Sequence, residues 1–255
     1  MKNDIVGFTP RESYDAPENT LAAFKLALER DTDAWETDIH FTKDNILVCC
    51  HDAHTERTCD KRMVISESTF EELQTLDACN KKEQYKGEKI PRFADLLAMF
   101  PQGKLLFTEI KISHPDIVDA MMDEIDKSGV SRDQIIVISF YADMIKLCKE
   151  RYPEMKALYL HSLGVKEDGS FVLAPEELLA LLEDIHADGL DGRANKNYLT
   201  PEFAAELAKR DLSLAIWTVD DVETAEYFIN TVHPEAITSN RAAYLQGVID
   251  LGQEQ

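Results

Sequence analysis

The sequence predicts an α/β chain folded as a TIM (β/α)8 barrel, and two observations carry that expectation. Strand-like and helix-like segments alternate, regularly from Lys104 onward, to give eight strands each followed by a helix within 255 residues. Eight βα units in about 250 residues is the arithmetic of such a barrel. No Pro- or Gly-rich linker divides the chain, so residues 1–255 read as one barrel domain. An open doubly wound sheet would more often carry a glycine-rich phosphate loop, and the sequence has none.

Residues 4–9 (Asp-Ile-Val-Gly-Phe-Thr) form the first strand candidate, and Pro17-Glu18-Asn19-Thr20 opens a helix in which Leu21, Phe24 and Leu28 recur at helical spacing. Either Asn19 or Thr20 can cap it. Residues 34–40 form the second strand, and residues 46–50 return antiparallel to it. After an irregular segment, Ser68-Thr69-Phe70-Glu71 reads as a capping box that starts a helix to about Ala78. Phe93, Leu96, Leu97 and Phe100 mark another helix. The later pairs are 104–111 with 115–128, 134–139 with 141–152, 156–160 with 175–186, 188–192 with a helix capped by Thr200, 213–217 with 220–230, and 236–238 with 241–249.

The second strand carries the chemistry. Alternation places Glu36, Asp38 and His40 on one face and Trp35, Thr37 and Ile39 on the other. A two-residue Asp44-Asn45 loop sets Lys43 opposite Ile46 and Asp38 opposite His51. A three-residue loop slips the register by one and turns His51 to the other face. Crowded carboxylates repel, and burying them unpaired costs several kcal/mol, so the pattern suits a divalent cation, with oxygen ligands favouring Mg²⁺ or Ca²⁺. In a barrel, function belongs at the C-terminal ends of the strands. Glu36, Asp38, Glu109, Lys111, Trp217 and Thr218 fall there, so Glu109 can supply a third carboxylate and Lys111 can reach a phosphate oxygen.

Composition bounds the partners. With 27 Lys and Arg against 48 Asp and Glu the formal charge is -21, which excludes nucleic acid as a partner because phosphate backbones are held by clustered cations. A small phosphate ester is still compatible if a bound cation supplies a local positive field. An apolar content of 44% suffices for a large core. No run of eighteen apolar residues and no signal-peptide core is present, so no membrane insertion and a cytoplasmic location are expected. Cys49, Cys50, Cys59, Cys79 and Cys148 are odd in number and form no Cys-x-x-Cys pair, which fits reduced thiols better than a disulfide framework or a zinc site.

Taken together, residues 16–24 (Ala-Pro-Glu-Asn-Thr-Leu-Ala-Ala-Phe), Glu36-Thr37-Asp38-Ile39, Leu47-Val48-Cys49-Cys50-His51-Asp52, Glu56-Arg57-Thr58, Glu109-Ile110-Lys111, Ser139-Phe140, Ile216-Trp217-Thr218 and Ile237-Thr238 resemble the glycerophosphodiester phosphodiesterases. The resemblance runs in order over nearly the whole chain. It implies a barrel with a small insertion after the second strand, at about residues 53–89, and a divalent cation held by Glu36, Asp38 and Glu109. It also implies hydrolysis of a small-molecule glycerophosphodiester to glycerol 3-phosphate and an alcohol. His51 is then the general acid or base, and Lys111, Arg11 and Trp217 are substrate-binding residues. The family also carries His-Arg-Gly at the end of the first strand. Here those positions read Phe8-Thr9-Pro10 or Thr9-Pro10-Arg11, without histidine. Arg11 can replace the missing arginine, and His40 and His54 are the nearby imidazoles that can replace the histidine. A slow or altered phosphodiesterase is therefore expected, with an inactive phosphate-binding or regulatory protein as the alternative.

Overall fold

The computed structural model describes residues 7–10 and 14–253, with side chains described from 14 to 249. Eight parallel strands follow one another around a sheet: β1 (Gly7–Pro10), β2 (Ala34–Phe41), β4 (Leu105–Ile110), β5 (Ile135–Ser139), β6 (Lys156–His161), β7 (Gly189–Arg193), β8 (Ser213–Trp217) and β9 (Ala236–Ser239). A short strand β3 (Leu47–Cys49) returns antiparallel beside β2. β1 pairs with β9 and also lies against β2, which brings the ends of the curled sheet together. Helices follow the strands, among them α1 (Leu21–Glu29), α4 (Asp116–Ser128), α5 (Ala142–Arg151), α6 (Pro175–Asp184) and α7 (Pro201–Ala208). The TIM-barrel expectation is met.

Strand alternation divides the core in two. Trp35, Ile39, Leu106 and Ile110 point outward into the main core beneath the helices, whereas Phe107, Ile136, Leu158 and Ala215 fill the barrel interior. Trp35 anchors the outer layer, stacked on Phe24 at 5.5 Å and edge-on to Phe100 at 5.2 Å. β2 is buried on both faces along its whole length, so its inward polar residues have no solvent face to retreat to.

The hairpin corrects the predicted register. Ile39 pairs with Cys49, His40 with Val48 and Phe41 with Leu47, so Asp38 lies opposite Cys50 rather than His51. The loop has three residues, closed by Thr42 N donating to Ile46 O at 3.0 Å, with Asn45 in the left-handed region at φ 60. Asparagine tolerates that conformation, and it converts the two-residue turn into the longer one. His51 follows the last bond of that ladder, from Cys50 N to Asp38 O at 3.0 Å, so strand alternation does not set its direction.

Residues between β3 and α3 (Phe93–Leu97) form the expected insertion, with a small core of its own around Val48, Cys50, Ile65, Leu73 and Leu76. The capping box sits one residue later than predicted. Thr69 accepts from Glu72 N at 3.2 Å while Thr69 N donates to Glu72 Oε2 at 2.8 Å, and buried Ser68 donates to Val64 O instead. The helix it starts, α2 (Phe70–Leu73), is also shorter than predicted. Tight turns from Thr75 N to Glu72 O and from Leu76 N to Leu73 O end it and fold Leu73 and Leu76 onto the same small core.

Gly189 sits where β7 runs tight against β8, because a Cβ there would stand 2.1 Å from the Ser213 carbonyl oxygen. Backbone on a paired strand cannot move aside as a flexible side chain can. Gly189→Ala should therefore destabilise the fold by about 3 kcal/mol or more, read as a lowered urea midpoint. An unchanged midpoint would show that β7 and β8 are not held at this spacing.

Candidate active site

The inward rows of β2 and β4 meet at the C-terminal end of the barrel. Their parallel register sets Asp38 beside Glu109 and Glu36 beside Phe107, so Glu36, Asp38 and Glu109 converge. One oxygen from each lies within 4.8 Å of the others, and all three residues are buried. Lys111, next on the inward row, reaches into the group with Nζ 2.7 Å from Glu109 Oε1 and 3.4 Å from Asp38 Oδ1.

The electrostatics follow from burial. Glu109 is pushed up to about 9, first by desolvation and then by the negative charge of Asp38, with Lys111 opposing the shift. Burial acts to lower the Lys111 pKa, but Asp38 and Glu109 more than offset it and raise the ammonium above its ordinary value. One ammonium does not balance three carboxylates. The donor set is all oxygen, buried and convergent, and it fits a hard divalent cation.

Asn19 fixes the central carboxylate, and nothing in the sequence assigned it that role. Thr20 is the residue that caps α1, accepting from Ala23 N at 3.3 Å. Asn19, at φ 53, turns its amide towards β2, where Nδ2 donates to Asp38 Oδ2 at 2.7 Å. Its Oδ1 accepts from Asp38 N at 3.1 Å and from Thr37 Oγ1 at 2.9 Å. Asp38 is thus gripped by backbone and side chain together.

His51 lies just beyond β3. Its Nδ1 is 2.6 Å from Asp52 Oδ1, Arg57 Nε donates to Asp52 Oδ2 at 2.5 Å, and Arg57 holds both oxygens of Glu18 at 2.7 and 2.5 Å. Glu18, Asp52 and Arg57 were legible as motif positions, but this chain of ion pairs joins segments 39 residues apart. Asp52 is held below the usual carboxylate range: desolvation opposes the shift, and hydrogen bonds from Arg57 and His51 overcome it.

The other predicted residues are placed unevenly. His40 is buried on the Asp38 row, with Nε2 3.3 Å from the His51 carbonyl oxygen, and burial lowers its pKa so that it is neutral near pH 7. His54 turns away, with Nδ1 3.4 Å from Arg62. Trp217 is half-buried at the end of β8, donating from Nε1 to the Asp191 carbonyl at 3.1 Å and meeting Phe140 edge-on at 5.5 Å. Asp191 itself is a further buried acid, on β7. Alternation along residues 188–193 would have found it. Arg11 lies outside the described residues, as do the side chains of Phe8 and Thr9, although the backbone register sets Thr9 beside Thr238.

Comparison with known proteins places the chain in a family. The profile of the glycerophosphoryl diester phosphodiesterase family matches residues 12–243, and the chain belongs to that family. It is 29% identical over 223 residues to a glycerophosphodiester phosphodiesterase of Caldanaerobacter subterraneus, covering 86% of each chain. It is 25% identical over 249 residues to glycerophosphodiester phosphodiesterase 1 of Bos taurus, covering 89% of this chain and 75% of that one. Among solved structures, an Oleispira antarctica phosphodiesterase in complex with its product sn-glycerol-3-phosphate superposes with a TM-score of 0.85 at 24% identity over 96% of each chain. A glycerophosphodiester phosphodiesterase from Parabacteroides distasonis does so with a TM-score of 0.79 at 22% identity over 99% of each.

Among the described residues, no helix is long and apolar enough to cross a membrane. The raised Glu109 pKa has a consequence for stability. A group whose folded pKa lies above its unfolded value stabilises the fold fully below the unfolded pKa, near 4.5, and loses that contribution as pH rises towards about 9. Metal-free protein should therefore lose melting temperature steadily across that window. Glu109→Gln should flatten the decline, and an unaltered slope would mean that Glu109 ionises without penalty.

Proposed function

We propose that the chain hydrolyses glycerophosphodiesters to glycerol 3-phosphate and an alcohol with the help of Mg²⁺ or Ca²⁺, and that it does so slowly. The observation that carries this reading is the convergence of three buried carboxylates with Lys111 at the C-terminal end of the barrel. Glu36, Asp38 and Glu109 would hold the cation, which when bound supplies Lewis-acid polarisation of the phosphoryl group. Lys111 would bind a phosphate oxygen, helped by Arg11, while Trp217 walls the substrate on the β8 side. His51 is the proton carrier. With Nδ1 fixed on Asp52, its Nε2 is the nitrogen left to exchange a proton with substrate.

The slowness follows from β1. The first histidine in the chain is His40, so the first strand brings no imidazole to the side of the pocket facing His51. His40 holds the His51 carbonyl and His54 faces Arg62, so neither is disposed as the second proton carrier. One acid or base group is typically worth 10² to 10⁴ in rate. The same absence favours a second reading, in which the barrel binds a phosphate ester without turning it over.

Two measurements separate these readings. Millimolar Mg²⁺ or Ca²⁺ should raise the melting temperature, as a ligand of the folded state does, and Glu36→Ala or Asp38→Ala should abolish the rise. A melt indifferent to cation and chelator would remove the metal site. Hydrolysis of glycerophosphocholine should be slow in the wild type. Thr9→His with Pro10→Arg should accelerate it by about 10² or more. Acceleration from no measurable wild-type turnover would favour the binding protein, and no gain despite intact cation binding would count against the glycerophosphodiester substrate.

A further inference from the structure

The insertion holds a pair of thiols that the site does not use. Residues 58–60 and 77–80 run antiparallel, with Asn80 N donating to Thr58 O at 3.0 Å on one side of Cys59 and Asp60 N donating to Asp77 O at 3.0 Å on the other. Cys59 on one segment and Ala78 with Cys79 on the other therefore lie between those two bonds. Backbone tied by hydrogen bonds on either side of Cys59 brings Cys79 towards the Cα separation of about 4.4 to 6.8 Å that a disulfide bridges. Both cysteines are free and half-buried.

The surrounding backbone is held firmly. The Asp77 carboxylate accepts from Cys79 N at 3.1 Å and Gly87 N at 3.0 Å, and Asp77 N donates to Asp60 Oδ1 at 2.9 Å. The two segments are thus fixed against each other without the thiols. Cys59 packs against the insertion's apolar core and lies two residues after Arg57, which braces Asp52 and through it His51.

We propose that Cys59 and Cys79 form a reversible disulfide that staples the insertion under the Arg57 brace. The oxidant is a small-molecule disulfide such as oxidised glutathione. The Cys79 thiolate attacks one of its sulfurs, forming a mixed disulfide and releasing one thiol. The Cys59 thiolate then attacks Cys79 Sγ and releases the second thiol, so two protein thiols are oxidised and one disulfide is reduced. Cys79 acts first because burial pushes the Cys59 thiol up to about 11, which keeps it protonated near neutrality.

The test is oxidation of the folded full-length protein with oxidised glutathione, followed by non-reducing tryptic mass spectrometry. Lys61 and Arg62 separate the two cysteines, so the expected product is a peptide carrying Cys59 linked to one carrying Cys79, 2 Da below the sum of the reduced peptides by the loss of two hydrogens. The melting temperature should rise by about 5 °C, as closing a loop of about twenty residues does in a chain of this size, and dithiothreitol should reverse it. Cys59→Ser and Cys79→Ser should each lose both the link and the rise. The inference is overturned by glutathione adducts without a link, by a Cys50 to Cys59 link, by a link that forms only in urea, or by a link that fails to raise the melting temperature.

Discussion

Three carboxylates brought together in the barrel interior set the terms for everything around them. Isolated, each would resist burial by several kcal/mol, and together they repel as well. The fold answers with devices of different kinds. Lys111 places an ammonium between Glu109 and Asp38, Asn19 fixes Asp38 through three hydrogen bonds, and Glu109 is driven towards its protonated form. Each lowers the repulsion, and none removes it. A scaffold that holds buried carboxylates at fixed positions has the donor set that a divalent cation would fit, and in a chain of formal charge -21 a bound cation would also let a phosphate approach.

The rigidity comes from the other face of the same strands. Trp35 is locked between Phe24 and Phe100, and Ile39 and Ile110 are fully buried beneath the helices. The inward row of β2 and β4 therefore has little freedom to relax its charges by moving apart. His51, by contrast, lies beyond the last ladder pair and is positioned by ion pairs instead of by a strand. Its support runs through Asp52 and Arg57 to Glu18, on the segment that also carries Asn19. One loop before α1 thus steadies both the acidic cluster and the histidine.

How much of this the sequence disclosed depends on the range of the interaction. The βα alternation, the helix capped by Thr200 and the inward row Glu36, Asp38, His40 follow from local periodicity, which survives folding because each strand is read along its own backbone. The hairpin register hinged on one torsion, that of Asn45, and asparagine is permitted on either side of φ zero, so the two-residue and three-residue loops could not be separated beforehand. The capping box moved by one residue because Ser68 found a partner in Val64, a local competition that composition does not settle. Asn19 read as a cap candidate because its tertiary partner is 19 residues away. The Glu18, Arg57 and Asp52 chain was hidden for the same reason. That residues 7–10 carry no histidine was plain in the sequence, and the register adds that Thr9 lies beside Thr238.

The central claim is that a divalent cation takes over the charge that now holds a proton on Glu109. Calorimetric titration of Mg²⁺ or Ca²⁺ at pH 7 in buffers of different ionisation enthalpy counts the protons released on binding. The account predicts that protons are released as the cation binds, because burial and the Asp38 charge hold the Glu109 pKa up without the ion and the carboxylate must be ionised to hold it. Binding with no proton release, or binding that Glu109→Gln leaves unchanged, would contradict it.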